Sequence, residues 1–181
     1  VAWILNIRGG DGPNSPIPNS RLIINKSKKI FLITELQKAK KLIKEKIINK
    51  NQLIKTNDLP KKILMLEGKK FIIDDKSCSV FYEDIVKSKF TIIKREDPTY
   101  LFKAIKNRTE INNMIKSHVS DGAALTKFIY WIKNINKKSI TEVDAQKKLE
   151  KFRKKNNNYL YPSFETIAGS GENGAIVHYR A

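Results

Sequence analysis

The chain has 181 residues, a hydrophobic content of 40% and a formal net charge of +18. This length suits one ordinary domain or two small ones, and no apolar run of about eighteen residues is present to predict a membrane span. The single cysteine, Cys78, excludes an internal disulfide and favours a reducing, cytoplasmic environment.

The positive charge comes mainly from lysine, since only six arginines are present. A strongly basic chain can bind a polyanion such as nucleic acid. Phosphate-binding sites favour the arginine fork, however, and these lysines are dispersed without interleaved aromatic residues that could stack on bases. The composition therefore disfavours a nucleic-acid partner, and a basic nucleic-acid-binding module is kept as the alternative function.

The first half of the sequence alternates between predicted strands and predicted helices. Residues 9–20 form a loop rich in proline and glycine, and residues 97–106 form a connection. Thr34 is the expected N-cap of a helix over 34–49, and a second helix is expected over 79–87. The predicted strands are 1–8, 21–25, 29–33, 62–66, 69–74 and 90–94. We expect 21–25 and 29–33 to form a hairpin, and 62–66 to pair with 69–74. Together these elements indicate an α/β unit.

The second half begins with a long amphipathic helix over 110–134, with Thr109 as its expected N-cap. His118 lies on the apolar stripe of this helix, so we expect it to be a packed core histidine. A second helix begins at Thr141, where Asp144 completes a capping-box pattern. The stripe of the first helix consists of Ile111, Ile115, His118, Gly122, Leu125, Ile129 and Ile132.

Residues 169–174 match the G-x-G-x-x-G pattern of dinucleotide sites, and His178 follows them directly. A dinucleotide site needs this turn at the start of a helix, whereas residues 175–179 are β-prone. The pattern therefore predicts a tight turn between strands over 163–168 and 175–179. From such a strand, His178 could point into a cleft as a donor or proton relay, or it could fill a core position.

Several stretches of the chain, in order, resemble aminopeptidase P, the Xaa-Pro aminopeptidase family of the pita-bread, creatinase-like metallopeptidases. The most specific stretch is 162–179, which ends in Asn-Gly-Ala-Ile-Val-His-Tyr. The other matching stretches are 1–9 with the proline-containing loop that follows, 104–107, 110–111, His118 with 121–125, 140–144, and 148–149 with 152–153.

The resemblance implies an α/β (α+β) architecture in two parts. Residues 1–102 would be part of a creatinase-like non-catalytic domain, and residues 103–181 would be the N-terminal part of a pita-bread catalytic domain. The chain does not begin with methionine and lacks the segment where the family carries its metal ligands. We therefore expect a fragment of a longer polypeptide.

The same resemblance implies an activity for that parent polypeptide. Members of the family are dimeric cytoplasmic enzymes that use two Mn²⁺ ions to release the N-terminal residue before a proline. His178 would be the catalytic, substrate-binding histidine, and no metal ligand is assigned to this chain. We expect the fragment alone to be inactive, and a catalytically dead scaffold relative is the remaining alternative.

Overall fold

A computed structural model describes residues 1–135 and 140–180, which form two compact units, Val1–Ile105 and Lys106–Ala181. The first unit mixes strands and helices, and the second is mainly helical. The predicted mixed α/β class is therefore confirmed. None of the described helices is both long enough and apolar enough to span a bilayer.

The strands of the first unit form two small sheets. In one, β2 (Ile30–Ile33) lies between β1 (Arg21–Ile24) and β3 (Leu53–Ile54), antiparallel to β1 and parallel to β3. In the other, β4 (Lys70–Ile73) pairs in parallel with β5 (Thr91–Lys94). The strands predicted over 21–25, 29–33, 69–74 and 90–94 are thus confirmed.

The first unit also contains five α-helices in the part of the chain that the structure describes. The bounds are α1 (Ala2–Leu5), α2 (Leu36–Lys44), α3 (Leu59–Met65), α4 (Val80–Lys87) and α5 (Thr99–Ala104). Helix α4 confirms the helix expected over 79–87. It connects β4 to its parallel neighbour β5, as a parallel pair requires.

Strand β2 is the centre of the core because both of its faces are buried. Phe31 and Ile33 pack on one side with residues of α3 and α4, such as Ile63 and Val86. Leu32 packs on the other side against Ala39 of α2. A continuous apolar strand suits a position covered on both faces.

The strand predicted over 1–8 is wrong. The amides of Leu5 and Ile7 donate to the carbonyls of Val1 and Ala2, each at 3.0 Å, so this segment is a helical turn. Asn6 ends the turn with a left-handed φ of 49°. A short apolar run is compatible with either strand or helix, and its spacing alone does not decide between them.

The strand predicted over 62–66 is also wrong, because these residues lie in or next to α3. Pro60 occupies the first turn of this helix, where a missing N–H costs nothing, and Leu59 and Ile63 lie one turn apart in the core. The pairing of 62–66 with 69–74 is therefore replaced by the pairing of β4 with β5. The expected connection over 97–106 contains α5.

Helix α2 is shorter than the predicted 34–49. Its N-cap is Glu35, while the amide of Thr34 donates to the carbonyl of Ile54 at 3.1 Å and so extends the sheet pairing. Lys46 adopts a left-handed φ of 58° just after the helix. This conformation ends the helix before Asn49.

The second unit is built on α6 (Arg108–Asn134) and α7 (Glu142–Arg153). The N-cap of α6 is Asn107 rather than Thr109, and Asn107 and Glu110 bond reciprocally to each other's backbone amides. The capping box predicted for Thr141 and Asp144 is confirmed. The two helices are joined by a bidentate ion pair in which Arg153 donates to Asp121 at 2.6 and 3.2 Å.

The apolar stripe predicted to be buried on α6 is exposed. Helix α6 instead buries Ala124 and partly buries Phe128 and Trp131, whose ring centroids lie 5.8 Å apart. His118 is consequently exposed, and the expectation of a packed core histidine is wrong. In this helix the wider apolar face is not the one that packs within the unit.

The strands predicted over 163–168 and 175–179 are wrong. The structure has no strand in either range, and a short 3-10 helix, Gly171–Ala175, takes the place of the predicted turn between strands. Strand propensity is context-dependent, since β-prone residues become a strand only when a neighbouring strand supplies the ladder.

Candidate functional site

His178 lies just after the 3-10 helix, and its side chain is exposed to solvent. Its backbone has a φ of 56°, in the left-handed region that non-glycine residues rarely adopt. Among the residues that the structure describes, none is hydrogen-bonded to its imidazole. The ring is therefore open to a ligand rather than packed in a core.

Glycines allow the tight turn that precedes His178. A Cβ atom at Gly169 would lie 2.9 Å from the carbonyl oxygen of Asn173, too close for any other residue without a backbone shift. Gly171 has a φ of +56°, which a glycine adopts at no steric cost. The glycines are therefore needed for the backbone conformation of the turn, and no strand flanks this turn.

The carboxylate of Glu142, at the first position of α7, is hydrogen-bonded to three residues of the segment around His178. It accepts from the Tyr179 hydroxyl at 2.7 Å and from Asn173 Nδ2 at 3.2 Å to each oxygen, and it also accepts from the amide of Ser170. Asn173 Nδ2 donates in addition to the Tyr179 hydroxyl at 2.9 Å. One acidic side chain therefore fixes both ends of the segment. We call Glu142, Ser170, Asn173 and Tyr179 the Glu142 network.

These contacts shift the pKa values of both acidic members of the network. The Tyr179 hydroxyl, followed by the Ser170 amide, lowers the pKa of Glu142 because both donate to the ionised carboxylate. The bond to the carboxylate, followed by desolvation, raises the pKa of Tyr179. The network therefore consists of an ionised glutamate and a neutral tyrosine at neutral pH.

Within residues 1–135 and 140–180, no three or more His, Cys, Asp or Glu side chains lie close enough together to hold a metal ion. Catalytic metal pairs need several such ligands. The described residues therefore do not fit a metal pair. The chemistry available here is hydrogen bonding and proton exchange by an exposed imidazole.

Sequence reasoning identified His178 but missed Glu142, Asn173 and Tyr179. Glu142 and Tyr179 are 37 positions apart, so no local pattern links them. The available signal was the position of Glu142 in the first turn of a capped helix, where a carboxylate is stabilised by the free amides. That signal indicates a favourable helix end and gives no information about a distant partner.

Two family models match the chain, one after the other. The model for the Creatinase/Prolidase N-terminal domain matches residues 1–110, and the model for Metallopeptidase family M24 matches residues 112–181. The first covers more than half of the chain.

Curated relatives match over essentially the whole chain. A probable Xaa-Pro aminopeptidase P of Paracoccidioides brasiliensis (strain Pb03) is 34% identical over 198 residues, covering 100% of this chain and 32% of the relative. Xaa-Pro aminopeptidase 1 of Dictyostelium discoideum is 30% identical over 193 residues, covering 99% and 29% respectively. The chain thus spans about a third of the length of these relatives.

A solved structure supports the fold. The Xaa-Pro dipeptidase from Bacillus anthracis superposes with a TM-score of 0.59 at 15% identity, covering 85% of this chain and 41% of that one. At this level of identity the likeness concerns architecture alone.

Proposed function

Because the chain belongs to the Creatinase/Prolidase N-terminal domain family, we propose that it is part of a metal-dependent Xaa-Pro aminopeptidase. One observation carries this proposal: the entire chain aligns with Xaa-Pro aminopeptidases at up to 34% identity. The two family models, in this order, support the same assignment. The substrate is then a peptide with proline in its second position, and the reaction is release of the residue before that proline.

His178 is proposed as the residue of this chain that meets the substrate. Its imidazole is exposed and lies in a segment that is fixed at both ends by the Glu142 network. An imidazole can donate a hydrogen bond to a substrate carbonyl and stabilise the negative charge that develops on that oxygen during hydrolysis. A donor held in place before the reaction is more effective than one that must be ordered during it.

The remaining properties are proposed for the whole polypeptide rather than for this chain. We propose two Mn²⁺ ions per active site, bound outside the described residues, which would activate a water molecule and polarise the scissile carbonyl. A homodimer in the cytoplasm is proposed on the same basis. Our proposed boundary between the creatinase-like part, 1–102, and the catalytic part, 103–181, needs proteolytic mapping.

A chimera tests the activity. The corresponding third of the Paracoccidioides relative is replaced by this chain, and cleavage of Ala-Pro-Ala is compared with cleavage of Ala-Ala-Ala. We expect proline-directed cleavage that is lost on chelation and restored best by Mn²⁺, while the 181-residue chain alone is inactive. A folded, metal-loaded chimera that leaves Ala-Pro-Ala intact would contradict the proposal.

The two alternatives have less support. The matches reported above are peptidases and peptidase-family domains, and none is a nucleic-acid-binding protein. The alternative of a basic nucleic-acid-binding module would be supported if the chain bound duplex DNA at physiological salt with an affinity that falls steeply as salt rises. A scaffold relative without activity predicts a chimera that folds and fails to cleave either peptide.

A further inference from the structure

The segment that carries His178 has one local hydrogen bond across the histidine, from the Tyr179 amide to the carbonyl of Ile176 at 3.3 Å. Its left-handed backbone is disfavoured for a residue with a side chain, and the neighbouring Val177 is 82% exposed. No strand pairing fixes these residues in the structure. A single bond of this length restrains the turn only weakly, so contacts with other parts of the unit are needed to fix where the imidazole points.

The Glu142 network provides that anchor on both sides of His178. Tyr179 is the next residue in the chain, so its hydroxyl bond to Glu142 restrains the peptide that follows His178. Ser170 and Asn173 bond to the same carboxylate, which restrains the turn that precedes it. Because both restraints meet at one side chain, its loss should release the segment, since the remaining ion pair, between Arg180 and Glu165 at 3.3 Å, is exposed and weak.

Glu142 is itself held by a rigid element. It is the first residue of α7, directly after the N-cap Thr141, whose hydroxyl and amide bond reciprocally to Asp144. The same helix is tied to α6 by the Arg153–Asp121 ion pair. The carboxylate therefore holds the segment in a fixed position relative to α6 and α7.

We propose that Glu142 is a positioning residue for His178: it holds the imidazole in its exposed, left-handed position through Tyr179, Asn173 and the Ser170 amide. The relevance of this role to catalysis rests on the proposed function, in which His178 meets the substrate. The positioning itself is a property of the chain and is testable without activity.

The test is an NMR comparison of the 181-residue chain with Glu142→Ala, Glu142→Gln and Tyr179→Phe variants. The readouts are the amide-to-Hα coupling, the Cα chemical shift and the backbone order parameter of His178. For Glu142→Ala we expect loss of the left-handed coupling and a fall in the order parameter from about 0.85 to below about 0.6. Glu142→Gln and Tyr179→Phe, which remove the charge or one bond, should give intermediate falls.

Glu172→Ala is the matched control, since it removes an exposed carboxylate within the same segment but outside the network. It should leave the His178 signals unchanged, and signals of Ala124 in α6 should not move in any variant. If Glu142→Ala unfolds the unit, Glu142→Gln and Tyr179→Phe provide the test of the positioning role. Unchanged His178 signals in both Glu142→Gln and Tyr179→Phe would overturn the proposal.

The failure of this proposal and that of the proposed function are distinguishable. If Glu142→Ala releases His178 while the chimera carrying it cleaves Ala-Pro-Ala at the original rate, the positioning stands and the substrate role of His178 fails. If His178 keeps its coupling and order parameter, the positioning fails whatever the chimera does.

Discussion

His178 combines an exposed imidazole with a backbone conformation that side chains disfavour. A left-handed conformation costs about 1–2 kcal/mol for a residue with a Cβ atom. Such strain persists only where surrounding contacts hold it, and it is concentrated at functional sites. Here the contacts come from the Glu142 network, which bonds to the residue that follows and to the turn that precedes.

The two histidines of the chain offer a direct test of this backbone strain. At position 178 glycine should be more stable than alanine by about 1 kcal/mol, because only glycine tolerates the positive φ. At position 118, inside α6, alanine should be more stable than glycine by about 0.5–1 kcal/mol. Urea unfolding of the glycine and alanine variants at both positions gives the sign of the stability difference between glycine and alanine at each. The same sign at both positions would show that residue 178 is not held at positive φ.

The lowered pKa of Glu142 predicts a pH dependence for the segment. A carboxyl whose pKa is lower in the folded state stabilises that state above its usual pKa, and this contribution is lost as the pH falls through the folded value. Wild type should therefore lose more stability on acidification than Glu142→Gln. Tm measured from pH 7 down to pH 3 checks this.

The pKa of Asp144 is also lowered, because its carboxylate accepts from the Thr141 hydroxyl and amide. Asp144 is present in both the wild type and Glu142→Gln. Some acid sensitivity should thus survive in Glu142→Gln. Parallel Tm curves for the two proteins over the whole range would contradict a folded-state role for the Glu142 carboxylate.

At the scale of elements, α6 has two apolar faces, and the unit covers the smaller one. Ala124 is buried against the rest of the unit, whereas Ile115 is 58% exposed and belongs to the stripe that runs from Ile111 to Ile132. Helices usually bury their wider apolar face. The uncovered stripe is consistent with a chain that spans only part of its relatives' length.

Because the stripe is exposed, shortening one of its side chains should lower the free energy of unfolding only slightly. Ile115→Ala should change the free energy of unfolding by less than about 0.5 kcal/mol, since little apolar area is lost from the core. Ile63→Ala, the same change at a side chain that is 2% exposed, should cost about 2–5 kcal/mol. Guanidinium unfolding at low protein concentration gives both values. Equal costs would mean that the stripe is covered in solution.

The sequence predicted elements where the signal was local. The hairpin of β1 and β2 follows from two apolar runs around a short polar turn, and the helix after Thr141 follows from a capping box. The strand predictions for two short apolar runs were wrong, because residues 1–8 and 62–66 contain helical residues. In such runs spacing does not separate strand from helix, and tertiary contacts decide.

For the site, the sequence predicted the histidine and missed what holds it. His178 was singled out by its glycine-rich turn and by a family resemblance, both of which are readable along the chain. Glu142 is brought to Tyr179 only by the return of the chain after α7, and local patterns do not encode that approach. The substrate role of His178 stays a prediction until it is measured.

At the scale of the whole molecule, the net charge of +18 does not by itself indicate a partner. Ion pairs such as Lys76 with Glu96 and Lys154 with Glu150 lie on the surface, where such pairs contribute little to stability. The dispersed lysines cover solvated faces, and the two units match two successive peptidase-family domains. The charge is therefore compatible with solvated faces, and the order of the two domains is that of the two peptidase-family models.

The most direct test of the central claim is the kcat/KM of the chimera for Ala-Pro-Ala after substitution of each histidine. With His178→Gln we expect a fall of about 10²–10³-fold, the usual cost of removing one donor to the developing oxyanion. His118→Gln, on the exposed face of α6, should stay within about twofold of the parent. Equal values for the two variants, with both proteins folded, would contradict the claim that His178 meets the substrate.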